Sequence, residues 1–485
     1  MTLMTTILLN EMKQDRTMKQ STIFLSALAM TLASCASVPR NAGADAVQQA
    51  IAQRGGLAIE WNAQPAGTDD ERVATMLQDE LTADEAVAIA MLNSPRLQVE
   101  LAGLGIARAD LVEASTIANP LFEFELRLPG DPYRPYELLV AQTLVDLIQL
   151  PRRRAIGRSA FDAAQMRVSS QVLRFAGDVR TAYYDYLAAT QHVALSRTSA
   201  EAAQAAAEVA IKQHRAETIT DLDLENEQAL YEQAKLDLAR AEQRVVLSRE
   251  ALVRAIGLRG ESAQLRVPAA FPALPPSELE QQQLEHLAAT QRLDLEIARR
   301  ELELARQTVP LSRLAALGEI TVDVHYEREP DGARTAGPGI ELPIPIFNSG
   351  RAARTRAEAR YLQARHAVHA LENETASQLR AARATLAEAR ARVEYYRDVV
   401  VPRRTRIVEL TKLEHNAMLV GVFQLLQARQ NEMQARRDFI EAQREYWTAR
   451  TDLDRALQGV ASDSGFTPAT GQGQGKNANV SRGDH

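Results

Sequence analysis

Ser94-Pro95-Arg96-Leu97-Gln98-Val99-Glu100 in the first half of the chain is answered by Thr290-Gln291-Arg292-Leu293-Asp294-Leu295-Glu296 in the second. Each copy leads into a short alternating segment, then a long Ala-rich stretch, then a turn, then a second long stretch. A repeat of about two hundred residues is too long for a solenoid unit and marks a duplicated domain half. The expected fold is mainly α with a small β part.

Upstream of the first copy, Thr82-Ala83-Asp84-Glu85 is a helix start, with a hydroxyl at the N-cap and a carboxylate three positions on. Helix is expected, interrupted near Ser94-Pro95, to about Ile117, and Asn119-Pro120 ends it. Downstream, Phe122, Phe124, Leu126 and Leu128 alternate with Glu123, Glu125 and Arg127, which predicts a strand with one apolar and one charged face. The second copy repeats the pattern with Ile320, Val322, Val324 and Tyr326 against Thr321, Asp323, His325 and Glu327. Turns follow at Pro129-Gly130-Asp131-Pro132 and Pro330-Asp331-Gly332, and return strands near Tyr136–Leu144 and Ile340–Ile344 complete four strands per chain.

From about Arg152 to Gln213 nothing breaks the helical pattern. Phe161, Val168, Phe175, Ala182 and Ala189 interleave with Val172, Val179, Tyr186 and Val193, a heptad register. The matching stretch from Arg351 to about His415 carries Leu379, Leu386, Val393 and Val400 with Ala382, Ala389 and Tyr396. Such helices reach on the order of 90 Å, too long for a globule. Pro402 should kink or loosen the second one. Turns at Ala216–Thr220 and Asn416–Gly421 lead to return helices stopped by Gly257 and Gly459. Gly421 is expected to supply backbone angles closed to other residues.

Composition narrows the class. Only 5% of residues are aromatic against 46% hydrophobic, so alanine fills the core and helices must pack closely. A net charge of −7 argues against a general nucleic-acid binder. The single cysteine, Cys35, follows Met18-Lys19 and an apolar stretch from Ile23 to Ala33, the pattern of a secretory signal peptide. Leu32-Ala33-Ser34-Cys35 resembles the bacterial lipobox, which implies acylation of Cys35 as the first mature residue. Ala36 and Ser37 then permit sorting to an outer membrane. The division that results is a signal peptide over 1–34 starting at Met18, a lipidated tether over 35–80, structural repeats over 81–257 and 278–459, a linker over 258–277 and a disordered tail over 460–485.

Four strands cannot close a barrel, because even the smallest closed barrels need about eight. In an exported lipoprotein the apolar face could meet lipid, where open sheet edges do not survive. Closure then takes several chains, and three would supply about twelve strands and a ring of long helices. Phe122, Phe124, Leu126, Ile320, Val322 and Val324 would face lipid, and Glu123, Glu125, Arg127, Asp323 and Glu327 a watery lumen.

Two further segments, Thr218-Ile219-Thr220-Asp221-Leu222-Asp223-Leu224-Glu225-Asn226-Glu227 and Val420-Gly421-Val422-Phe423-Gln424-Leu425-Leu426-Gln427-Ala428-Arg429, resemble the hallmark turn regions of the TolC-type outer-membrane efflux protein family. Val401-Pro402 and the closing Leu453-Asp454-Arg455-Ala456-Leu457-Gln458-Gly459 are similar to that family too, and the likeness spans roughly residues 80–460. It implies a homotrimer with an outer-membrane β-barrel and a periplasmic α-barrel, working with a periplasmic adaptor (membrane fusion protein) and an inner-membrane pump of the RND or ABC type. It also places a narrow periplasmic entrance at Thr220, Asp221, Asp223, Val420, Gly421, Val422, Gln424 and Gln427. Gln424 and Gln427 stand where the best-known members carry aspartates, a departure that bears on cation selectivity.

His366 and His369, three apart on a helix, could share a metal but lack a third ligand nearby in sequence; a solvated face is the favoured reading. Tyr183, Tyr184 and Tyr186 suit packing between helices, and Arg152–Arg154 suit solvated charge or headgroup contact at the strand-to-helix junction. Phosphate loops, nucleophile elbows and zinc spacings are missing from the sequence, so neither an enzyme nor a cofactor is expected. The competing reading is a lipid-anchored periplasmic coiled-coil scaffold, in which the strands would be ordinary hairpins.

Overall fold

Capping chemistry sets the short helices. The computed structural model describes residues 43–56, 71–127, 134–258, 265–314, 320–344, 346 and 349–460. Helices α1 (Ala44–Gly55) and α2 (Glu71–Met76) lie in the segment expected to be a tether. Val47, Ile51 and Val73 are buried there, so those helices are packed against the body rather than strung out from it. Helix α3 (Ala83–Asn93) starts with a reciprocal box in which Thr82 Oγ1 accepts from the Glu85 N–H and Glu85 accepts from the Thr82 N–H at 2.8 Å. Ser94 breaks the chain and Pro95 opens α4 (Pro95–Ser115), where a missing N–H costs nothing.

Four strands, β1 (Leu121–Leu126), β2 (Tyr136–Thr143), β3 (Thr321–Arg328) and β4 (Arg334–Glu341), form one antiparallel sheet in the order β1-β2-β3-β4. Strand β4 starts at Arg334, earlier than Ile340 where the return strand was expected, and Leu342–Ile344 fall outside it. The run Gly337-Pro338-Gly339 hid it, since such residues read as a turn. At a sheet edge Pro338 withholds its missing donor from no neighbour. Leu128 and the first turn lie outside the described residues. Ile320 precedes β3, and its carbonyl accepts from the Leu144 N–H at 2.8 Å.

Strand β2 runs directly into α5 (Leu144–Arg215), a helix of 72 residues and thus about 108 Å long. It begins before the expected Arg152 because Pro151 interrupts only one hydrogen bond, that to the Leu147 carbonyl, in its opening turns. Helix α6 (Asp221–Ile256) returns alongside it. The second half comprises α7 (Gln281–Gln291), α8 (Leu293–Leu314), α9 (Arg351–Tyr395), a π turn over Tyr396–Val400, α10 (Val401–Asn416) and α11 (Val422–Gln458). The π turn is the loosening expected at Pro402, which has no N–H for the Asp398 carbonyl.

The duplication is real in the backbone but slipped by two residues from the sequence match. Ser94 (φ −73°, ψ 119°) separates α3 from α4 as Arg292 (φ −69°, ψ 116°) separates α7 from α8. The shared Arg-Leu pair lined up the letters, yet proline makes the break in one copy. In the other the buried Arg292 makes it, bonding Asp294, the Ala456 carbonyl at 3.1 Å and Gln378 at 3.1 Å. Gly257 (φ +76°) ends α6 against the first break, where an added Cβ would lie 2.7 Å from the Asn93 oxygen and the Ser94 Cα.

The heptad positions Val168, Val172, Phe175, Val179 and Tyr186 of α5, with Tyr183 and Leu187 between them, pack with α3 and α4 residues such as Ile89, Met91 and Leu97 in one core cluster. Leu379, Leu386 and Val393 of α9 pack with Tyr446 and Leu453 of α11 in a second. Trp447 touches both clusters and stacks on Tyr184 at 5.4 Å. Tyr183 and Tyr186 are packing residues with satisfied hydroxyls, Tyr183 donating to the Leu81 carbonyl at 2.9 Å and Tyr186 to the Leu265 carbonyl at 3.3 Å, and Tyr184 packs through its ring.

Candidate conduit surfaces: the sheet and the helical tips

Strand register sorts the side chains into two faces. Phe122 lies opposite Val140 and, beyond it, Val324; Phe124 opposite Leu138 and then Tyr326; Leu126 opposite Tyr136, whose row runs on to Arg328 and Arg334; and Gln142, Val322 and Ile340 make the next row. Apart from Gln142 and the Arg328 and Arg334 pair at its turn end, that face is apolar and open: Phe122 is 65%, Val324 59% and Ile340 62% exposed in the single chain. A contiguous exposed apolar surface of this kind belongs against a partner or a membrane. Phe124, Tyr136 and Tyr326 form an aromatic cluster on it, with centroids 6.4 and 5.9 Å apart.

The opposite face carries Glu123 and Glu125 beside Leu139 and Glu137, then Asp323, His325 and Glu327. Arg127 is the cation there, reaching Glu125 at 3.0 Å, Glu137 at 3.1 Å and Glu327 at 3.5 Å. One guanidinium shared by three carboxylates, Glu125 exposed and Glu137 and Glu327 half-buried, leaves that face net negative. Both outer edges, β1 and β4, are unpaired among the described residues.

At the far end of the long helices the two turns are built alike. Helix α5 ends with Thr218 N–H bonding the Gln213 carbonyl at 3.0 Å and Glu217 N–H the His214 carbonyl at 2.9 Å, and α10 ends with Leu419 bonding Glu414 at 2.9 Å and Met418 bonding His415 at 2.9 Å. Both are Schellman motifs. Their left-handed residues are not glycine but Glu217 (φ 58°) and Met418 (φ 61°). Gly421 adopts ordinary extended angles (φ −78°, ψ 166°) as the N-cap of α11, so the expected conformational need for glycine there is wrong. The error came from the glycine itself, because sequence convention puts the left-handed position on it.

Around the first turn, Thr220 and Asp223 make a capping box, and exposed Asp221 meets His214 Nε2 at 2.6 Å. Val420 and Val422 flank Gly421 in the second turn, and the Val420 carbonyl lies 3.1 Å from His415 Nδ1. Gln424 is exposed with its Oε1 folded back beside Gly421, where an added Cβ would lie 3.2 Å from it, and Gln427 donates to Asn431 at 3.4 Å. Sequence reasoning missed the apolar character of this tip: Met418 is 94%, Leu419 75% and Phe423 66% exposed.

It also missed the straps that tie α11 to the first half. Arg437 pairs with Asp237 of α6 at 3.0 Å, and Arg444 pairs with Asp185 of α5 at 3.0 Å and with Glu441 at 2.5 Å. The His192 imidazole facing it and the Arg444 guanidinium hold the Glu441 carboxyl down at about 2. The seven-residue spacing of Arg437 and Arg444 was the available signal. Between the α5–α6 and α10–α11 hairpins lies a crevice of about 720 Å³ lined by Ala202, Glu227, Ala234, Lys412, Leu426 and Arg437 among others.

His366 and His369 are exposed on α9, His369 pairing with Glu372 at 3.5 Å. Arg153 pairs with Asp146 at 3.1 Å in the first turns of α5. Cys35 lies outside the described residues. None of the described helices is long and apolar enough to cross a membrane.

Comparison with known proteins is consistent with this geometry. Residues 284–459 match the model of the outer membrane efflux protein family. The cobalt-zinc-cadmium resistance protein CzcC of Cupriavidus metallidurans is 23% identical over 388 residues, covering 78% of this chain and 90% of CzcC. The CmeC outer membrane channel of Campylobacter jejuni superimposes with a TM-score of 0.68 at 16% identity, over 84% of this chain and 92% of CmeC. A CusC crystal structure superimposes with a TM-score of 0.66 at 17% identity, over 82% of this chain and 95% of that one.

Proposed function

We propose that this chain, a homologue of outer-membrane efflux channels, is itself the outer-membrane conduit of a tripartite export system. The observation that carries this reading is the open four-stranded sheet, apolar on one exposed face and acidic on the other, at one end of a helical body about 108 Å long. Sheet edges cannot stand open in hydrocarbon. In a homotrimer, β4 of one chain pairs with β1 of the next, and about twelve strands close with the apolar face on lipid and the charged face on water. The conduit does no chemistry. It holds a continuous wet path, and the pump supplies the energy.

The helical tips are the periplasmic end in this reading. Met418, Leu419 and Phe423 are large apolar side chains standing in water, and they suit contact with a periplasmic adaptor that in turn engages an inner-membrane pump. Acylation at Cys35 anchors the chain to the membrane it spans. A relative named for cobalt, zinc and cadmium resistance makes those divalent cations the first substrates to test.

The test starts from full-length protein extracted from outer membranes. Heat-resistant trimers that give stepwise conductance in planar bilayers are expected, with labelled palmitate incorporated and lost in Cys35→Ala. A monomer without conductance, remaining in the soluble periplasmic fraction once Cys35 is replaced, would establish the lipid-anchored scaffold instead.

A further inference from the structure

Glu227 is buried at 7% exposure on α6, one helical hairpin facing the other across the crevice. The internal repeat shows how unusual this is. Thr220 and Gly421 are the N-caps of α6 and α11, so Glu227 matches Ala428 and Ala234 matches Ala435; all four positions are buried, and three are alanine. Packing at this column needs a methyl group, not a carboxylate. Among the described residues none donates a hydrogen bond to the Glu227 carboxylate, which meets solvent only at the crevice, and the burial around it makes its charge costly.

We propose that Glu227 is a proton-linked latch between the two hairpins: its neutral carboxyl is compatible with their approach, and its carboxylate favours their separation and the entry of water. The groups facing it are few. Helix α5 presents only Thr198, Ser199 and alanines to the crevice, α10 presents Glu409 and Lys412, α11 presents Arg429, Glu432 and Arg437, and α6 itself adds Asp237. Arg437 is committed to Asp237 at 3.0 Å and Glu432 to Arg436 at 2.8 Å. Burial pushes the Glu227 carboxyl above the ordinary carboxylate range, and Arg429 only partly offsets it. The sign follows from linkage. A group whose value is raised in the closed arrangement stabilises that arrangement below its solvated value, and the contribution is lost as pH rises through the raised one.

For the conduit the latch makes the tips tighter in acid, a step that rests on the proposed function above. The test places spin labels at Gln233→Cys on α6 and Gln430→Cys on α11 of the full-length protein and measures their separation from about pH 4 to about pH 8, which brackets the ordinary carboxyl value. The expected result is a distance that lengthens as pH rises, and a short, pH-independent distance in Glu227→Gln; rim variant Glu409→Gln should still respond. An unchanged pH response in Glu227→Gln, or no response in the parent, overturns the latch. Because the distance needs no conductance, a pH-dependent separation in a protein that conducts nothing would sustain the latch and refute the conduit.

Discussion

Replacing Phe124 by arginine tests which face of the sheet meets lipid. Phe124 sits mid-strand in a row with Leu138 and Tyr326, is 55% exposed in the single chain, and touches the Tyr136 ring. If that row faces hydrocarbon, an arginine near the midplane costs about 2–4 kcal/mol per copy. Three copies in a trimer bring the total to about 6–12 kcal/mol if they add, comparable to the whole stability of an ordinary domain. Glu123→Arg is the matched control, one residue away on the opposite face and without an ion pair among the described residues. The assay is the fraction of heat-resistant trimer in outer-membrane extracts by semi-native electrophoresis. Phe124→Arg should lose most of it and Glu123→Arg little. Equal losses, or a larger loss in Glu123→Arg, would refute the assignment of faces and the twelve-stranded closure with it.

Gly257→Ala adds a left-handed strain of about 1–2 kcal/mol and backbone overpacking of about 1–3 kcal/mol, because its new Cβ meets Asn93 and Ser94. Gly56→Ala has the same handedness but open space, so it should show only the first cost in denaturant midpoints. Glu441, held near about 2, contributes stability that is present above the ordinary carboxyl value and is lost as pH falls toward its own. The melting-temperature gap between parent and Glu441→Gln, followed by circular dichroism, should therefore close on acidification below about pH 4.

Much of this architecture was legible because its signals are periodic. The heptads of α5 and α9 and the alternation of β1 and β3 each repeat often enough to outweigh a single misleading residue. What escaped was decided by tertiary context. Pro151 reads as a stop, but strand β2 feeds the helix before it, and Gly337-Pro338-Gly339 reads as a turn, but a sheet edge tolerates it. Val47, Ile51 and Val73 are too sparse to announce two docked helices. At the tips the residues were found but their backbone roles were not, since Glu217 and Met418 take angles that composition assigns to glycine. The straps at Asp185 and Asp237 pair residues about two hundred positions apart or more, beyond the reach of any local pattern.

The π turn before Pro402 also distributes stiffness within the chain. One extra residue turns everything beyond it by about 100° around the helix axis. Helix α10 accordingly buries no residue, while α5 keeps Ala200, Ala207 and Ala210 buried over the equivalent span. A load applied at the tips is therefore met by one arm that is clamped along its length and another that is held mainly by the arm returning beside it. The duplicated halves are alike in outline and unlike in compliance: under the same force the second arm bends first.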